Sequence, residues 1–166
     1  MEHKSGFVNI IGSPNVGKST LMNSLLGQKV SIITSKAQTT RHRILGILND
    51  SKYQIIFSDT PGVITPSYKL QENMMHYVYS SFKDADIILY MLEFGSKKLK
   101  DKKLISILRE TQLPLFILLN KIDLSNQSDI ENEINRLKSE FSPDVILPIS
   151  ALNNFNLDSL IECIID

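Results

Sequence analysis

The eight residues Gly12 to Ser19, Gly-Ser-Pro-Asn-Val-Gly-Lys-Ser, fit the spacing G-x-x-x-x-G-K-[ST] and directly follow the apolar run Phe7 to Ile11. An apolar strand, a glycine-bounded turn and a helix-forming sequence in that order commit the start of the chain to a loop whose backbone N–H groups converge on an anion. The two glycines let the backbone bend inward; Lys18 adds a point charge, and Ser19 offers a hydroxyl to a magnesium ion. The following helix aims its positive end at the same phosphate. The residues assigned to this cradle are Ser13, Pro14, Asn15, Val16, Gly17, Lys18, Ser19 and Thr20.

The rest of the chain alternates short apolar runs with amphipathic stretches, the pattern of strands crossing over through helices onto a largely parallel sheet. Strands are expected at 7–11, Ile44 to Leu48, Tyr53 to Ser58, Ile87 to Leu92, Leu115 to Leu119 and Val145 to Ile149. The runs at 87–92 and 115–119 do not alternate, as befits central strands covered on both faces. Asn-Asp-Ser-Lys at 49–52 is a turn signal that makes 44–58 an antiparallel hairpin. Helices are expected over Lys18 to Leu26, 70–82, Lys97 to Glu110, Asp129 to Phe141 and Asn156 to Ile165, the fourth capped by Ser128 or Asp129. The fold class is therefore three-layer α/β/α, with a mostly parallel six-stranded sheet and one antiparallel strand.

At 166 residues the chain makes one domain, 1–166. Eighteen basic against 18 acidic residues leave no net charge, which removes the overall signature of a protein that coats nucleic acid. A local patch, Lys97, Lys98, Lys100, Lys102 and Lys103, reads first as a solvated helix face, with an RNA or protein contact as the alternative. His76 reads as an exposed helix residue. The single Cys163 lies in an apolar stretch and reads as a packed thiol, consistent with a reducing, cytoplasmic setting. No apolar run approaches the ~18 residues of a spanning helix.

Ligands of open α/β sheets lie beyond the carboxyl ends of the strands, and four more segments fall there. Asp59 in Asp-Thr-Pro-Gly (59–62) stands where a carboxylate can hold magnesium, and Gly62, lacking a side chain, can bring its N–H to a terminal phosphate. Asn120-Lys121-Ile122-Asp123 follows a central strand. There Asp123 can accept the ring N–H and amino group of guanine, a pair adenine does not present. Asn120 would tie this loop to the phosphate loop, and the Lys121 stem would lie over the base. Ser150-Ala151-Leu152 ends the last strand, where a backbone N–H can meet the guanine carbonyl. In the irregular stretch 28–42, Thr40, preferred to Thr39, offers a hydroxyl that completes magnesium coordination when a γ-phosphate is present.

With these five segments in this order, the chain resembles the translation-factor-related class of guanine-nucleotide-binding proteins. Within that class Gly-Ser-Pro-Asn-Val-Gly-Lys-Ser followed by Gln38-Thr39-Thr40-Arg41-His42-Arg43-Ile44 is most similar to the Era-type GTPases. The resemblance implies a Ras-like P-loop G domain that binds GTP and GDP with Mg2+ and acts as a switch in small ribosomal subunit maturation. It also implies 16S rRNA as a partner and a cytoplasmic place that extends to peripheral contact with the inner face of the cell membrane. A related tRNA-modification or ribosome GTPase, acting mainly as a binding switch, is the alternative. Relatives of this type carry an RNA-binding KH domain, whereas no Gly-x-x-Gly loop with a basic surround occurs up to Asp166. The expectation is a monomeric G domain with weak or absent RNA binding of its own.

Hydrolysis of a γ-phosphate needs in-line water and charge neutralisation, and Lys18, Thr40, Gly62 and Asn15 are the residues assigned to it. The position after Asp-Thr-Pro-Gly is Val63, which has no group to orient water, so slow intrinsic turnover is expected. Asn15 is a candidate ligand for K+ beside the β and γ phosphates, by resemblance to relatives sharing the Pro-Asn-x-Gly-Lys-Ser loop, with carbonyls of 30–34 assisting. Asn is equally a turn former. Under the binding-switch alternative, the loops at 28–42 and 60–69 order on the γ-phosphate and present Arg41, His42, Arg43 or Tyr68 to an effector.

Overall fold

The computed structural model describes residues 3–27, 43–96 and 99–166. Six strands, β1 (Lys4–Gly12), β2 (Ile44–Asn49), β3 (Tyr53–Asp59), β4 (Ile87–Glu93), β5 (Leu115–Asn120) and β6 (Val145–Pro148), form one sheet in the order β2-β3-β1-β4-β5-β6. Only the β2/β3 pair is antiparallel, as the turn at 49–52 requires. The expected architecture is met.

Among the described residues five α-helices cover the sheet: α1 (Lys18–Leu26), α2 (Lys69–Ser80), α3 (Lys102–Glu110), α4 (Gln127–Phe141) and α5 (Leu157–Ile165). Side chains alternate across each strand, so β4 and β5 feed two separate cores. Leu89, Met91, Phe116 and Leu118 join Val8 and Ile10 beneath α1 and α5, which supply Leu21, Met22, Leu157 and Leu160. Ile88, Tyr90, Ile117 and Leu119 face the other way, against Val78, Leu104, Leu108, Leu137 and Phe141 of α2, α3 and α4. The apolar runs are continuous because neither face of these strands meets water. Burying a Leu or Ile side chain contributes about 1.5–3 kcal/mol, so the two cores carry most of the stability.

Several boundaries differ from the sequence expectation, each for a local reason. β1 begins at Lys4, not Phe7, because its first residues pair with β3 from Lys4 opposite Tyr53. α2 ends at Ser80, and a 3-10 turn over Ser81–Lys83 follows it. α3 starts at Lys102, not Lys97, because the Asp101 side chain accepts from Leu104 N at 2.9 Å and caps the helix there. α4 is capped by Asn126, whose Oδ1 accepts from Asp129 N, two or three residues before the expected cap. Lys102 and Lys103 are exposed, and the Lys103 ammonium stands 4.0 Å from the centre of the Tyr79 ring. Lys97 and Lys98 lie outside the described residues, as does the stretch 28–42 with Thr39, Thr40, Arg41 and His42. His76 is exposed, and Cys163 is half-buried against the first core.

Candidate nucleotide site

β1, β3, β4, β5 and β6 deliver their loops to one edge of the sheet, because parallel strands end on the same side. The first loop, between Gly12 and Lys18, is shaped by two residues in the left-handed region: Asn15 at φ 62 and Gly17 at φ 106, ψ 19. Asn tolerates that conformation better than most residues, so Asn15 suits the turn. At Gly17 a Cβ would run into the Asn120 amide, so the position excludes any larger residue on two grounds. Val16 is buried at the loop's root, while Asn15, Ser19 and Thr20 face solvent.

Lys18 lies back under this loop. Its Nζ donates to Gly12 O at 3.0 Å and Ser13 O at 2.8 Å, and the residue is buried. Removal from water lowers its pKa from 10.5 to about 8, against the raising influence of the Asp59 carboxylate. An anion seated in the loop would reverse that shift. The Ser19 hydroxyl donates to Asp59 Oδ2 at 2.6 Å, and Asp59 is fully buried at the end of β3. A buried carboxylate and an exposed-side hydroxyl at that separation make a pair of hard oxygens suited to Mg2+.

The segment after Asp59 lies directly on the phosphate loop. Thr60 Oγ1 donates to Ile10 O at 2.8 Å, and Val63 N donates to Gly12 O at 3.0 Å. Between them, a Cβ on Gly62 would stand 2.8 Å from Pro14 Cα and N, so only glycine allows the two backbones to approach this closely. Val63 is buried and turned into the second core, which leaves no polar side chain at that position.

The base-side loops meet through Asn120. Its Nδ2 donates to Val16 O at 2.8 Å, and its Oδ1 accepts from Ala151 N at 2.9 Å. Lys121, in the left-handed region at φ 63, bonds Asn15 O at 3.1 Å and pairs with Glu93 at 2.8 Å. Asp123 is exposed, with Oδ1 held by the Ser150 hydroxyl at 2.9 Å, so one carboxylate edge is oriented and the other faces outward. In the last loop Ser150 N is engaged by Phe155 O and Ala151 N by Asn120, so Leu152, 79% exposed, is the outward member of the tripeptide.

The structure thus brings together Ser13 to Thr20, Asp59, Gly62, Asn120, Lys121, Asp123 and Ser150 to Leu152 at one rim. Sequence reading missed Glu93, the Gly12 carbonyl that serves both Lys18 and Val63, and Ser24, whose hydroxyl bonds Ala151 O at 2.8 Å. Glu93 had a usable signal: it is a charge ending an apolar strand run, where ligand loops begin. Of the side chains expected to meet an effector, Arg43 is turned inward here, with its side chain 21% exposed, and Tyr68 is exposed.

A sequence profile of the 50S ribosome-binding GTPase family matches residues 7–121. GTPase Era of Clostridium beijerinckii is 44% identical over 160 residues, covering 96% of this chain and 54% of its own length. Among solved structures, Era in complex with MgGDPNP and nucleotides 1506–1542 of 16S ribosomal RNA is similar at a TM-score of 0.89 and 38% identity, over 99% of this chain and 57% of that one. An Aquifex aeolicus Era variant bound to GDP and AlF4− gives 0.85 and 38%, over 98% and 56%. The chain therefore spans a little over half the length of these relatives, and its fold is that of a Ras-like P-loop GTPase domain.

Proposed function

This chain belongs to the 50S ribosome-binding GTPase family, and on that basis we propose that it binds GTP and GDP with Mg2+ and hydrolyses GTP to GDP and phosphate. The observation that carries the reading is the Asn120 amide, which joins the phosphate loop at Val16 to the last loop at Ala151 and sets the outward carboxylate of Asp123 beside both. A guanine between these loops meets an acceptor for its ring N–H and amino group, and adenine does not.

The chain's own residues divide the work. Lys18 and the N–H groups of Ser13 to Thr20 neutralise the phosphates, with Pro14 and Val16 shaping the loop and Lys121 covering the base. Ser19 and Asp59 would hold Mg2+, with Thr40 as the further ligand, and the ion would supply charge neutralisation at the phosphate oxygens. Gly62 brings its N–H toward the γ-phosphate. Ser150, Ala151 and Leu152 line the carbonyl side of guanine, and Asn15, besides forming the turn, is the residue that would hold K+ as a further positive charge beside the phosphates. Val63 supports slow turnover, because its side chain is buried and its N–H is spent on Gly12 O.

By its similarity to Era, the protein acts as a nucleotide-dependent switch on the small ribosomal subunit, with 16S rRNA as partner. The monomeric state, the cytoplasmic setting and peripheral membrane contact belong to the same proposal; no helix among the described residues is long and apolar enough to cross a membrane. The buried Val63 also favours the second reading, a binding switch whose hydrolysis awaits a partner. The test is competition for a fluorescent GDP by GTP and ATP, followed by single-turnover hydrolysis with and without small subunits. GTP should compete and ATP should not; equal competition removes the role given to Asp123.

A further inference from the structure

Asn153 stands outside the residues given a part in nucleotide binding, yet its side chain is built into the base-side loop. Its Nδ2 donates to Ser150 Oγ at 3.0 Å, and the Ser150 hydroxyl donates in turn to Asp123 Oδ1 at 2.9 Å. The backbone that carries Asn153 is closed on itself: Ser150 and Phe155 form an antiparallel bridge, with Phe155 N donating to Ser150 O at 3.0 Å. Asn154 and Asn156 turn the chain through the left-handed region at φ 55 and 61, and Asn156 Nδ2 donates to Pro148 O at 2.8 Å. The loop is anchored to α1 as well, through the Ser24 hydroxyl on Ala151 O.

A serine hydroxyl has one proton and two lone pairs, so what it accepts decides where it donates. Ser150 is 2% exposed, which leaves bulk water little access to its hydroxyl. With the Asn153 amide donating to a lone pair, the proton is left for Asp123. Turning the amide over would place its Oδ1 against Ser150 Oγ, and the hydroxyl would then face two acceptors, of which the charged Asp123 binds it more strongly. The orientation Asn153 takes is the one in which both bonds are made. Each carboxylate oxygen can accept twice, so Asp123 Oδ1 can hold the Ser150 proton and still take one guanine N–H while Oδ2 takes the other. That needs the carboxylate plane fixed, and since Asp123 is exposed, its orientation comes from Ser150.

We propose that Asn153 is a positioning residue for base recognition, which sets the Ser150 proton on Asp123 and through it the discrimination between guanine and purines that lack its amino group. The proposal rests on the guanine-nucleotide reading above. In this role Asn153 touches no part of the nucleotide and acts only through the Ser150 hydroxyl, so its effect must vanish when that hydroxyl is absent.

The test uses the whole chain with Asn153→Leu, Asn153→Asp, Ser150→Ala and the double variant that joins Ser150→Ala to Asn153→Leu. Affinities for GDP and for inosine diphosphate, which keeps the ring N–H and lacks the amino group, are measured with Mg2+ alongside thermal midpoints. Asn153→Leu keeps the size of the side chain and removes the donor, so GDP affinity should fall about tenfold and inosine diphosphate affinity about threefold or less, with the midpoint little changed. Asn153→Asp makes the side chain a second acceptor for the one proton and should cost GDP at least as much. In the Ser150→Ala background, Asn153→Leu should change GDP affinity by less than about twofold. Equal losses for both diphosphates, an unchanged GDP affinity in either Asn153 variant, or a full further loss in the double variant would each overturn the proposal. A wild-type chain that does not prefer GDP to inosine diphosphate overturns the reading of Asp123 as well, so the two failures are distinguishable.

Discussion

The Ser19 hydroxyl and the Asp59 carboxylate, 40 residues apart in sequence, meet at 2.6 Å where β3 ends beside the start of α1. Two oxygen groups brought this close on rigid elements form a preorganised half of a Mg2+ shell. Ser19→Ala removes one of them and leaves the loop's N–H groups in place. Adding EDTA should weaken GTP-analogue binding to the wild type by about tenfold or more, and the variant should show little of that response. Fluorescence titrations of both proteins, with and without the chelator, read the difference directly.

Lys18 gives a prediction with a definite sign. Its folded pKa of about 8 lies below the ordinary 10.5, so between those values the unfolded chain binds more protons than the folded one. The stability of the nucleotide-free domain should then rise with pH through that window, and the cost of the buried charge is fully present below pH 8. The shift corresponds to roughly 3 kcal/mol against the charged form. Lys18→Met should flatten the urea-unfolding profile between pH 8 and 10 while abolishing tight nucleotide binding. An identical pH profile in the variant would show that Lys18 is not the titrating group.

Strand identity was legible because burial on both faces leaves an unmistakable mark: Ile87 to Leu92 and Leu115 to Leu119 have no polar interruption. Helix starts were less so. Leu99 and Leu104 continue a helical period through Asp101, yet the Asp101 side chain bonds Leu104 N and begins α3 there. Asn126 does the same for α4. Of the candidate site, the loops at strand ends were readable because phosphate and guanine demand particular groups at particular spacings. The inward contacts of Arg43 were not legible, because its partners Asn9 and Asp84 lie 34 and 41 residues away, and no local pattern encodes such contacts.

Base choice depends on Asp123, whose Oδ1 is held by the Ser150 hydroxyl. Asp123→Asn replaces two acceptors with one acceptor and one donor. GTP affinity should fall by about 100-fold or more, since bonds to a charged acceptor are lost and a donor opposes the guanine amino group. A nucleotide with a carbonyl in place of that amino group, xanthosine triphosphate, should gain affinity in the same variant. Competition assays with both nucleotides decide it; a variant that still prefers GTP would place base recognition elsewhere.

Gly62 is confined by the Pro14 backbone, with room for a Cβ only 2.8 Å from Pro14 Cα and N. In Gly62→Ala the segment after Asp59 must lift away from the phosphate loop, carrying with it the N–H intended for the γ-phosphate. The fold should lose about 1–3 kcal/mol from overpacking. GDP binding should survive with little change, while the GTP analogue loses about tenfold. Calorimetric titration with the two nucleotides separates these outcomes, and a parallel loss in both would point to damage of the phosphate loop itself.

Asn120 makes the opposite prediction, because its two bonds serve the frame that any guanine nucleotide uses. The side chain is 3% exposed, so neither Val16 O nor Ala151 N can turn to bulk water once the amide is gone. Each orphaned group costs about 1–3 kcal/mol. Asn120→Ala should therefore destabilise the nucleotide-free domain by about 2–6 kcal/mol, an effect read from urea unfolding. Because Val16 belongs to the phosphate loop and Ala151 to the base-side loop, the variant disturbs their mutual spacing and not the γ-phosphate contacts. GTP and GDP affinities should fall in parallel. A selective loss of GTP affinity in this variant would mean that the Asn120 amide senses the third phosphate, and would separate the base loops from the frame assigned to them.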